Sequence, residues 1–214
     1  MRIHATVTSP FVRKVLVTAH ELGLQSQLDW TATNPHVDEY LRGDNPLCKI
    51  PTLLAEEGAL FDSRVICEFL DSLHSGTKLF PASGHDRWSA LRLQALGDGL
   101  SDANVSRRNE LIRPANEQSP SWIARQLLAV RAALDWLEDH SKELAGPVTI
   151  GSIAVGCALG YFEVRFPEEN WRTYHAELAS WFAEFAKRSS MQSTRYSFLK
   201  GHLPPELIKE GGVH

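Results

Sequence analysis

The sequence predicts an α/β domain over residues 1–76, followed by an all-helical domain over residues 86–214. Three observations lead to this prediction. Short apolar runs alternate with helical patterns before residue 74, which is the order of an α/β unit. Residues 74–85 contain two glycines, a proline and three small hydroxylated residues, a composition typical of a linker. Every later apolar pattern has helical spacing.

The N-terminal domain is predicted to follow the order strand–helix–strand–helix–strand–strand–helix. The first helix has a clear start, because Ser9 can act as N-cap and Pro10 at the next position has no N–H to lose. Gly23 closes that helix. The predicted strands are residues 3–7, 27–31, 52–55 and 59–61, and the other predicted helices are residues 35–42 and the segment that begins at Ser63.

The C-terminal domain is predicted to contain four helices, each with one apolar stripe. Thr149 is the predicted N-cap of the third helix, and Ser152 can reach back to the backbone N–H of Thr149. The four stripes are Trp88, Leu91, Ala95 and Leu96; then Ile123, Leu127, Val130, Leu134 and Leu137; then Ile153, Cys157 and Tyr161; and last Tyr174, Leu178, Trp181, Phe182 and Phe185.

Composition and charge argue against several classes of function. Hydrophobic residues make up 43 % and charged residues 22 % of the chain, as in an ordinary globular protein. A formal net charge of −4 without a basic run disfavours nucleic acid and anionic membranes as partners. No stretch is apolar enough to span a bilayer and the N-terminus lacks a signal-peptide core, so we expect a cytoplasmic protein. The three cysteines form no Cys-x-x-Cys, so neither a disulfide framework nor a metal site is expected.

The segment from Asn45 to Ser63 holds candidate ligand-binding groups. Ile50-Pro51 immediately precedes a short apolar strand, and a cis bond there would leave the N–H and C=O of Ile50 available to an extended, peptide-like ligand. Asp62-Ser63 lies at a helix start, where free backbone N–H groups and the helix dipole attract a carboxylate. These residues fit a site for a peptide-like ligand, and they fit an ordinary loop–strand–turn–strand–helix unit equally well.

The chain resembles the glutathione S-transferase family, and within it the bacterial members with a serine near the start of the first helix. The resemblance rests on Ser9-Pro10-Phe11-Val12-Arg13-Lys14, Asn45-Pro46, Ile50-Pro51 and Asp62-Ser63, in this order and spacing. It implies a thioredoxin-like fold for the N-terminal domain and glutathione as co-substrate. It also implies a small hydrophobic electrophile as second substrate, a role in detoxification, and a homodimer.

Ser9 is the candidate catalytic residue. A thiol with a pKa near 8.5 is only a few per cent ionised at pH 7. An N-cap hydroxyl aimed at the sulfur, together with the positive end of the helix, would stabilise the thiolate. The resemblance gives Ser9 this role, and the alternative is that Ser9 only caps its helix.

The resemblance also implies which residues hold glutathione. The backbone of Ile50, before a cis Pro51, matches the position that pairs with the cysteinyl unit. Ser63 matches the hydroxyl that receives the γ-glutamyl carboxylate. Asp62 matches an acidic position that faces the glutamyl ammonium, where the longer Glu is common. Lys49 is a candidate for the glycine carboxylate, although a solvated loop lysine fits that position as well.

The second substrate is expected to lie against the helix that carries Asp102, Val105 and Arg108. Arg108 and its neighbour Arg107 would favour an anionic substrate, although a solvated helix face is the preferred interpretation of this pair. Two other functions stay open. One is a catalytically silent protein that binds glutathione or a partner, and the other is a thiol–disulfide redox enzyme that uses Cys48.

Overall fold

The computed structural model describes residues 1–195 and contains two compact units. The first unit consists of residues 1–82 together with residues 188–195, and the second consists of residues 83–187. The predicted fold class, an α/β part followed by a helical part, is confirmed. The domain boundaries at residues 76 and 86 stay a prediction. Residues 196–214 of the predicted helical domain lie outside the described residues.

The first unit is built on a four-stranded mixed sheet. In chain order its strands and the first two helices are β1 (Arg2–Ala5), α1 (Pro10–Glu21), β2 (Asp29–Ala32), β3 (Thr52–Ala55), β4 (Gly58–Leu60) and α2 (Ser63–Ser72). The strand order in the sheet is β2-β1-β3-β4. β1 and β2 are parallel, while β3 is antiparallel to both β1 and β4. The α1 crossover therefore joins two parallel neighbours, as a parallel pair requires.

The second unit is helical. Its helices are α3 (Gly84–Leu111), α4 (Pro120–Asp139), α5 (Ile150–Arg165) and α6 (Ala176–Phe185). A short final helix, α7 (Ser189–Ser193), belongs to the first unit. None of the helices in the described part of the chain is long and apolar enough to cross a membrane.

The segment predicted as a helix over residues 35–42 instead contains a 3-10 helix at Glu39–Gly43. The side chains of Asn34 and Asp38 explain the difference. Asp38 accepts a hydrogen bond from the Asn34 N–H at 2.6 Å, and Asn34 accepts one from the His36 N–H at 3.0 Å. Such short-range bonds compete with the regular backbone bonds of an α-helix.

The first unit has a continuous apolar core. Ile3 and Leu53 supply it from the sheet, and Val15 and Ile66 supply it from α1 and α2. Cys67 is also buried, and its sulfur accepts a hydrogen bond from the Thr18 hydroxyl at 3.4 Å.

The chain returns to this unit through α7, which packs against α1. Arg188 donates two hydrogen bonds of 2.8 Å to the carboxylate of Glu21, and the Ser190 hydroxyl also donates to that carboxylate. Near the other end of α1, Arg13 donates to the Met191 carbonyl at 3.2 Å. Residues from both ends of α1 thus bind the 188–195 segment.

Helices α3 and α5 approach each other closely because glycines lie at their contact. A Cβ atom on Gly97 would lie 2.6 Å from the carbonyl carbon of Ala154, and one on Gly151 would lie 2.6 Å from Leu93 Cβ. The backbones can therefore come nearer than ordinary side chains would allow.

The stripe predicted for α3 is wrong. Trp88 is 69 % exposed and Ala95 is exposed, whereas Ala90, Leu93 and Leu100 are buried. The start of α5 follows the prediction, because Thr149 and Ser152 form a reciprocal capping box. Ser152 accepts from the Thr149 N–H at 3.0 Å, which satisfies a donor at the helix N-terminus without a carboxylate.

Candidate functional site

Ser9 lies in the short connection between β1 and α1, at the N-cap of α1. Its backbone is extended, with φ −82° and ψ 125°, and its Oγ accepts a hydrogen bond from the Val12 N–H at 3.2 Å. Pro10 follows at the first helical position, as the sequence predicts. Because Oγ is the acceptor in this bond, the hydroxyl proton is not used in it. The partly exposed hydroxyl can therefore cap the helix and donate to an anion at the same time.

The Ile50–Pro51 peptide bond is cis, and so is the Phe61–Asp62 bond. Pro51 is buried and Ile50 is partly exposed. Within residues 1–195, neither the N–H nor the C=O of Ile50 takes part in a hydrogen bond. Both groups are therefore available to the backbone of an extended ligand, which is the property that the sequence predicts for this position.

Asn45 holds the loop in front of Ile50, a role that the sequence interpretation did not assign. Its side chain is only 1 % exposed, and its amide donates to the Lys49 carbonyl and to Thr52 Oγ1 at 3.0 Å each. The Thr52 hydroxyl donates to the same Lys49 carbonyl at 2.8 Å. This network fixes the backbone on both sides of Ile50. In the sequence, this network is marked by the Asn45-Pro46 pair, which is one of the motifs of the family resemblance but had no role assigned to it.

A buried histidine connects the same loop to the sheet. His4 on β1 forms a 2.9 Å hydrogen bond to Asp44, next to Asn45, and another of 2.9 Å to Thr33 after β2. Thr33 also shares a hydrogen bond of 3.1 Å with Tyr40. The polar loop is therefore anchored at several points although it carries little regular structure.

Asp62 and Ser63 form the start of α2. The Asp62 side chain accepts from the Arg64 N–H at 2.9 Å and from the Ser63 hydroxyl at 3.0 Å. Ser63 is only 2 % exposed, whereas Asp62 is exposed. The Ser63 hydroxyl and the N-terminus of α2 lie beside the Asp62 carboxylate, so donors and an anion stand side by side. This arrangement can hold a group that carries both a carboxylate and an ammonium.

The charge state of Asp62 depends on α1 as well as α2. Partial burial raises the pKa of Asp62, but hydrogen bonds from Arg64 and Ser63 and the positive charges of Lys14 and Arg64 lower it. The net effect is a pKa below the ordinary value of an aspartate, so the carboxylate is charged at neutral pH. Lys14 lies on α1 and is almost fully buried. No periodicity in the sequence indicated that this lysine acts on Asp62.

Residues 8–73 match the glutathione S-transferase N-terminal domain family, and residues 120–184 match the C-terminal domain family. The chain is 30 % identical over 202 residues to the uncharacterized GST-like protein YibF of Escherichia coli strain K12, covering 91 % of this chain and 98 % of that protein. The chain belongs to the glutathione S-transferase family.

Solved structures of family members agree in fold. A glutathione transferase family member from Pseudomonas fluorescens Pf-5 with bound glutathione is 42 % identical, with a TM-score of 0.86. A second structure of a member from that strain contains bound S-(propanoic acid)-glutathione and has a TM-score of 0.83 at 40 % identity. In each comparison the alignment covers 91 % of this chain and 98 % of the other. The thioredoxin-like fold that the resemblance implied is thus confirmed.

Lys49 and Cys48, which the sequence analysis also singled out, lie in different settings. Lys49 is exposed, whereas Cys48 is partly buried. The backbone of Cys48 adopts the left-handed conformation, with φ 51°. The Cys48 thiol donates to the Pro35 carbonyl at 3.5 Å. That bond directs the thiol toward the protein backbone. It also requires the protonated thiol, whereas a reactive cysteine is a thiolate.

Proposed function

We propose that the protein is a glutathione transferase in which Ser9 stabilises the thiolate of glutathione for attack on a small hydrophobic electrophile. The observation that supports this most is the Ser9 hydroxyl, which accepts from the Val12 N–H and keeps its own proton for another acceptor. Two solved structures from Pseudomonas fluorescens Pf-5, one with bound glutathione and one with bound S-(propanoic acid)-glutathione, support glutathione as the co-substrate. The proposed product is a thioether of glutathione, and the proposed role is detoxification.

The chain's own residues would divide the work between binding and activation. The Ile50 backbone would pair with the cysteinyl unit, and Asp62 and Ser63 would hold the γ-glutamyl ammonium and carboxylate. Lys49 would approach the glycine carboxylate. With the tripeptide fixed, the Ser9 O–H and the N-terminal N–H groups of α1 would face the sulfur, so the thiol would lose its proton to solvent at a lower pH.

The test is the ultraviolet absorbance of the thiolate of bound glutathione as a function of pH. Ser9→Ala should raise the pKa of bound glutathione by about one to two units, because it removes a charge-assisted bond of about 1.5–3 kcal/mol. The turnover number at pH 7 should fall about ten- to hundredfold, and the loss should shrink as the pH rises. Glutathione affinity should change little.

The chain contains a matched control for the loss of a helix cap. Ser119 caps α4 before Pro120 and accepts from the Trp122 N–H at 3.3 Å, which repeats the Ser9–Pro10 arrangement. Ser119→Ala should cost about 1 kcal/mol of stability, as Ser9→Ala does, without moving the thiolate titration. Superimposable titrations of wild type and Ser9→Ala would contradict the proposal and leave a glutathione-binding protein.

Cys48→Ser separates the transferase from a redox enzyme. The variant should keep the conjugation of a generic aromatic electrophile, because the Cys48 thiol is bonded to the Pro35 carbonyl. Loss of nearly all activity in this variant would move the chemistry to Cys48 and contradict the serine mechanism.

The proposed assembly is a homodimer, as is common in the family. Large apolar side chains are exposed at Val37, Tyr40 and Leu47 in the first unit and at Trp88 in the second. Sedimentation equilibrium would show a single species of twice the chain mass. The cytoplasmic location stays a prediction.

A further inference from the structure

Arg108 and Arg165 of the helical unit have no carboxylate partner within the described residues. Arg108 lies in the last turn of α3 and Arg165 ends α5, and both side chains are partly exposed. Neither forms an ion pair with a carboxylate anywhere in residues 1–195. The neighbouring Arg107 differs, because it is paired with Glu169 and its guanidinium lies 4.1 Å from the centroid of the Phe166 ring.

Leu93 contacts Gly151 and Gly97 contacts Ala154, so α3 and α5 run in the same direction, and this register places Arg108 beside Arg165. The contact between Arg107 and the Phe166 ring shows that the C-terminal ends of the two helices stay close. Burial lowers the pKa of Arg108, and the positive charge of Arg165 lowers it further. The Nε atom of Arg165 is buried and has no hydrogen-bond partner within the described residues. Two partly desolvated positive charges repel each other, and a buried N–H without an acceptor costs free energy as well. An anion bound between the two guanidinium groups would remove both costs.

Tyr161 completes the cluster. It lies one turn before Arg165 on α5 and is buried. The Arg165 guanidinium lies 5.6 Å from the Tyr161 ring centroid. Burial raises the pKa of Tyr161 although Arg165 and Arg108 both act to lower it, so the phenol stays neutral. The cluster therefore combines two guanidinium groups with an aromatic ring.

We propose that Arg108, Arg165 and Tyr161 form a site for the carboxylate of the second substrate, so that the enzyme accepts electrophiles that carry a carboxylate. A planar guanidinium group can donate two parallel hydrogen bonds to the two oxygens of a carboxylate. A neutral amide has one oxygen and no charge, so it accepts these bonds less strongly. This inference rests on the proposed function and on the expectation from the sequence that the second substrate lies against the helix that carries Arg108.

The kinetic test compares two electrophiles that differ at one substituent, which is charged in one and neutral in the other, and their difference in intrinsic reactivity cancels when a variant is compared with wild type. These are 4-chloro-3,5-dinitrobenzoate and the corresponding 4-chloro-3,5-dinitrobenzamide. In both, the glutathione thiolate forms a carbon–sulfur bond at the ring carbon that carries chlorine, and chloride leaves with the bonding electrons. The ratio of kcat/KM for the acid to kcat/KM for the amide then reports on recognition of the carboxylate.

Arg108→Gln should lower this ratio about 10- to 100-fold, mainly through kcat/KM for the acid. Arg165→Gln should act in the same direction, and Arg108→Lys should recover part of the loss because it restores the charge without the fork. Arg131→Gln removes an equal charge from an exposed position of α4 and should leave the ratio unchanged. An unchanged ratio in Arg108→Gln would overturn the inference.

A binding measurement without glutathione separates this inference from the proposed function. Calorimetry with 3,5-dinitrobenzoate should show binding to the wild-type protein and at least tenfold weaker binding to Arg108→Gln. Such binding in a protein that does not conjugate either chloroarene would contradict the proposed function and support the anion site. Conjugation without any binding of 3,5-dinitrobenzoate would overturn the anion site and leave the proposed function standing.

Discussion

Ser63 is a buried hydroxyl whose one hydrogen bond in the first unit goes to the carboxylate of the preceding Asp62. A ligand carboxylate at the N-terminus of α2 would compete for that hydroxyl, and the ligand's ammonium would take its place beside Asp62. The lowered pKa of Asp62 keeps this residue charged for the exchange. In the proposed function, Ser63 would therefore connect the N-cap geometry to the affinity for an amino-acid head group.

Ser63→Ala should weaken glutathione binding by about 1–3 kcal/mol, the cost of removing a hydrogen bond to a charged group. Ser72→Ala is the matched control, since Ser72 lies at the other end of α2 and donates to the Phe69 carbonyl. Calorimetric titration of both variants would measure the difference. Equal affinities would mean that another group receives the glutamyl carboxylate.

At this scale, local signals predicted more than long-range ones. Ser9, Asp62 and Thr149 follow cap rules that depend on a few neighbouring residues, so the sequence was sufficient for their positions. The charge of Lys14 acts on Asp62, which lies 48 positions later in the chain. His4 forms a hydrogen bond with Asp44, which lies 40 positions later. Such pairs depend on the fold, and a single sequence does not show them.

Among the elements, α3 shows why hydrophobicity alone can misplace a buried face. Gly97 of α3 lies against α5, and the buried residues of α3 also include Ser101 and Asn104, which are small or polar, while the larger Trp88 is exposed. Close packing of two helices favours small residues at the contact, so an apolar stripe is a poor guide there. In α4 the predicted residues Val130, Leu134 and Leu137 are buried. The buried face of this helix consists of aliphatic side chains, so the apolar stripe identifies it.

Gly97→Ala should destabilise the protein by about 1–3 kcal/mol, because the added Cβ would lie 2.6 Å and 2.7 Å from backbone atoms of Ala154 and Val155. Gly99→Ala is the control on the same helix, where a Cβ would meet nothing within 4 Å. That change should instead stabilise the helix by about 0.5–1 kcal/mol. Urea unfolding of both variants would show the opposite signs, and equal midpoints would refute the packing argument.

For the whole molecule, the order of elements was easier to predict than the path of the chain. The predicted sequence of strands and helices in the first unit required only local patterns, and β3 has the predicted bounds. The return of residues 188–195 to the first unit was not predicted. It depends on the ion pair between Glu21 and Arg188, which lie 167 residues apart.

Glu21→Gln should lower the free energy of unfolding by about 1–2 kcal/mol at pH 7, since it weakens two charged hydrogen bonds from Arg188. Burial raises the pKa of Glu21, but the hydrogen bonds from Arg188 and Ser190 and the positive charge of Arg188 lower it below the ordinary value of a glutamate. A lowered folded pKa means that the stabilisation is present above about pH 4.5 and is lost as the pH falls through the folded value.

Unfolding of wild type and Glu21→Gln should therefore differ at pH 7 and converge in acid. Glu184→Gln provides the control, because Glu184 and Lys187 form an exposed pair on the surface. Its effect should stay below about 0.5 kcal/mol at every pH. A difference for Glu21→Gln that persists below the folded pKa would show that packing, and not charge, binds the 188–195 segment.

The return of the chain makes the helical unit a domain insertion within a discontinuous first unit. A single proteolytic cut between residues 82 and 83 would not yield two self-contained fragments, because the larger fragment would carry the α7 that packs on α1 of the smaller one. The nicked protein should therefore behave as a complementing pair, held together by non-covalent contacts and separable by denaturant.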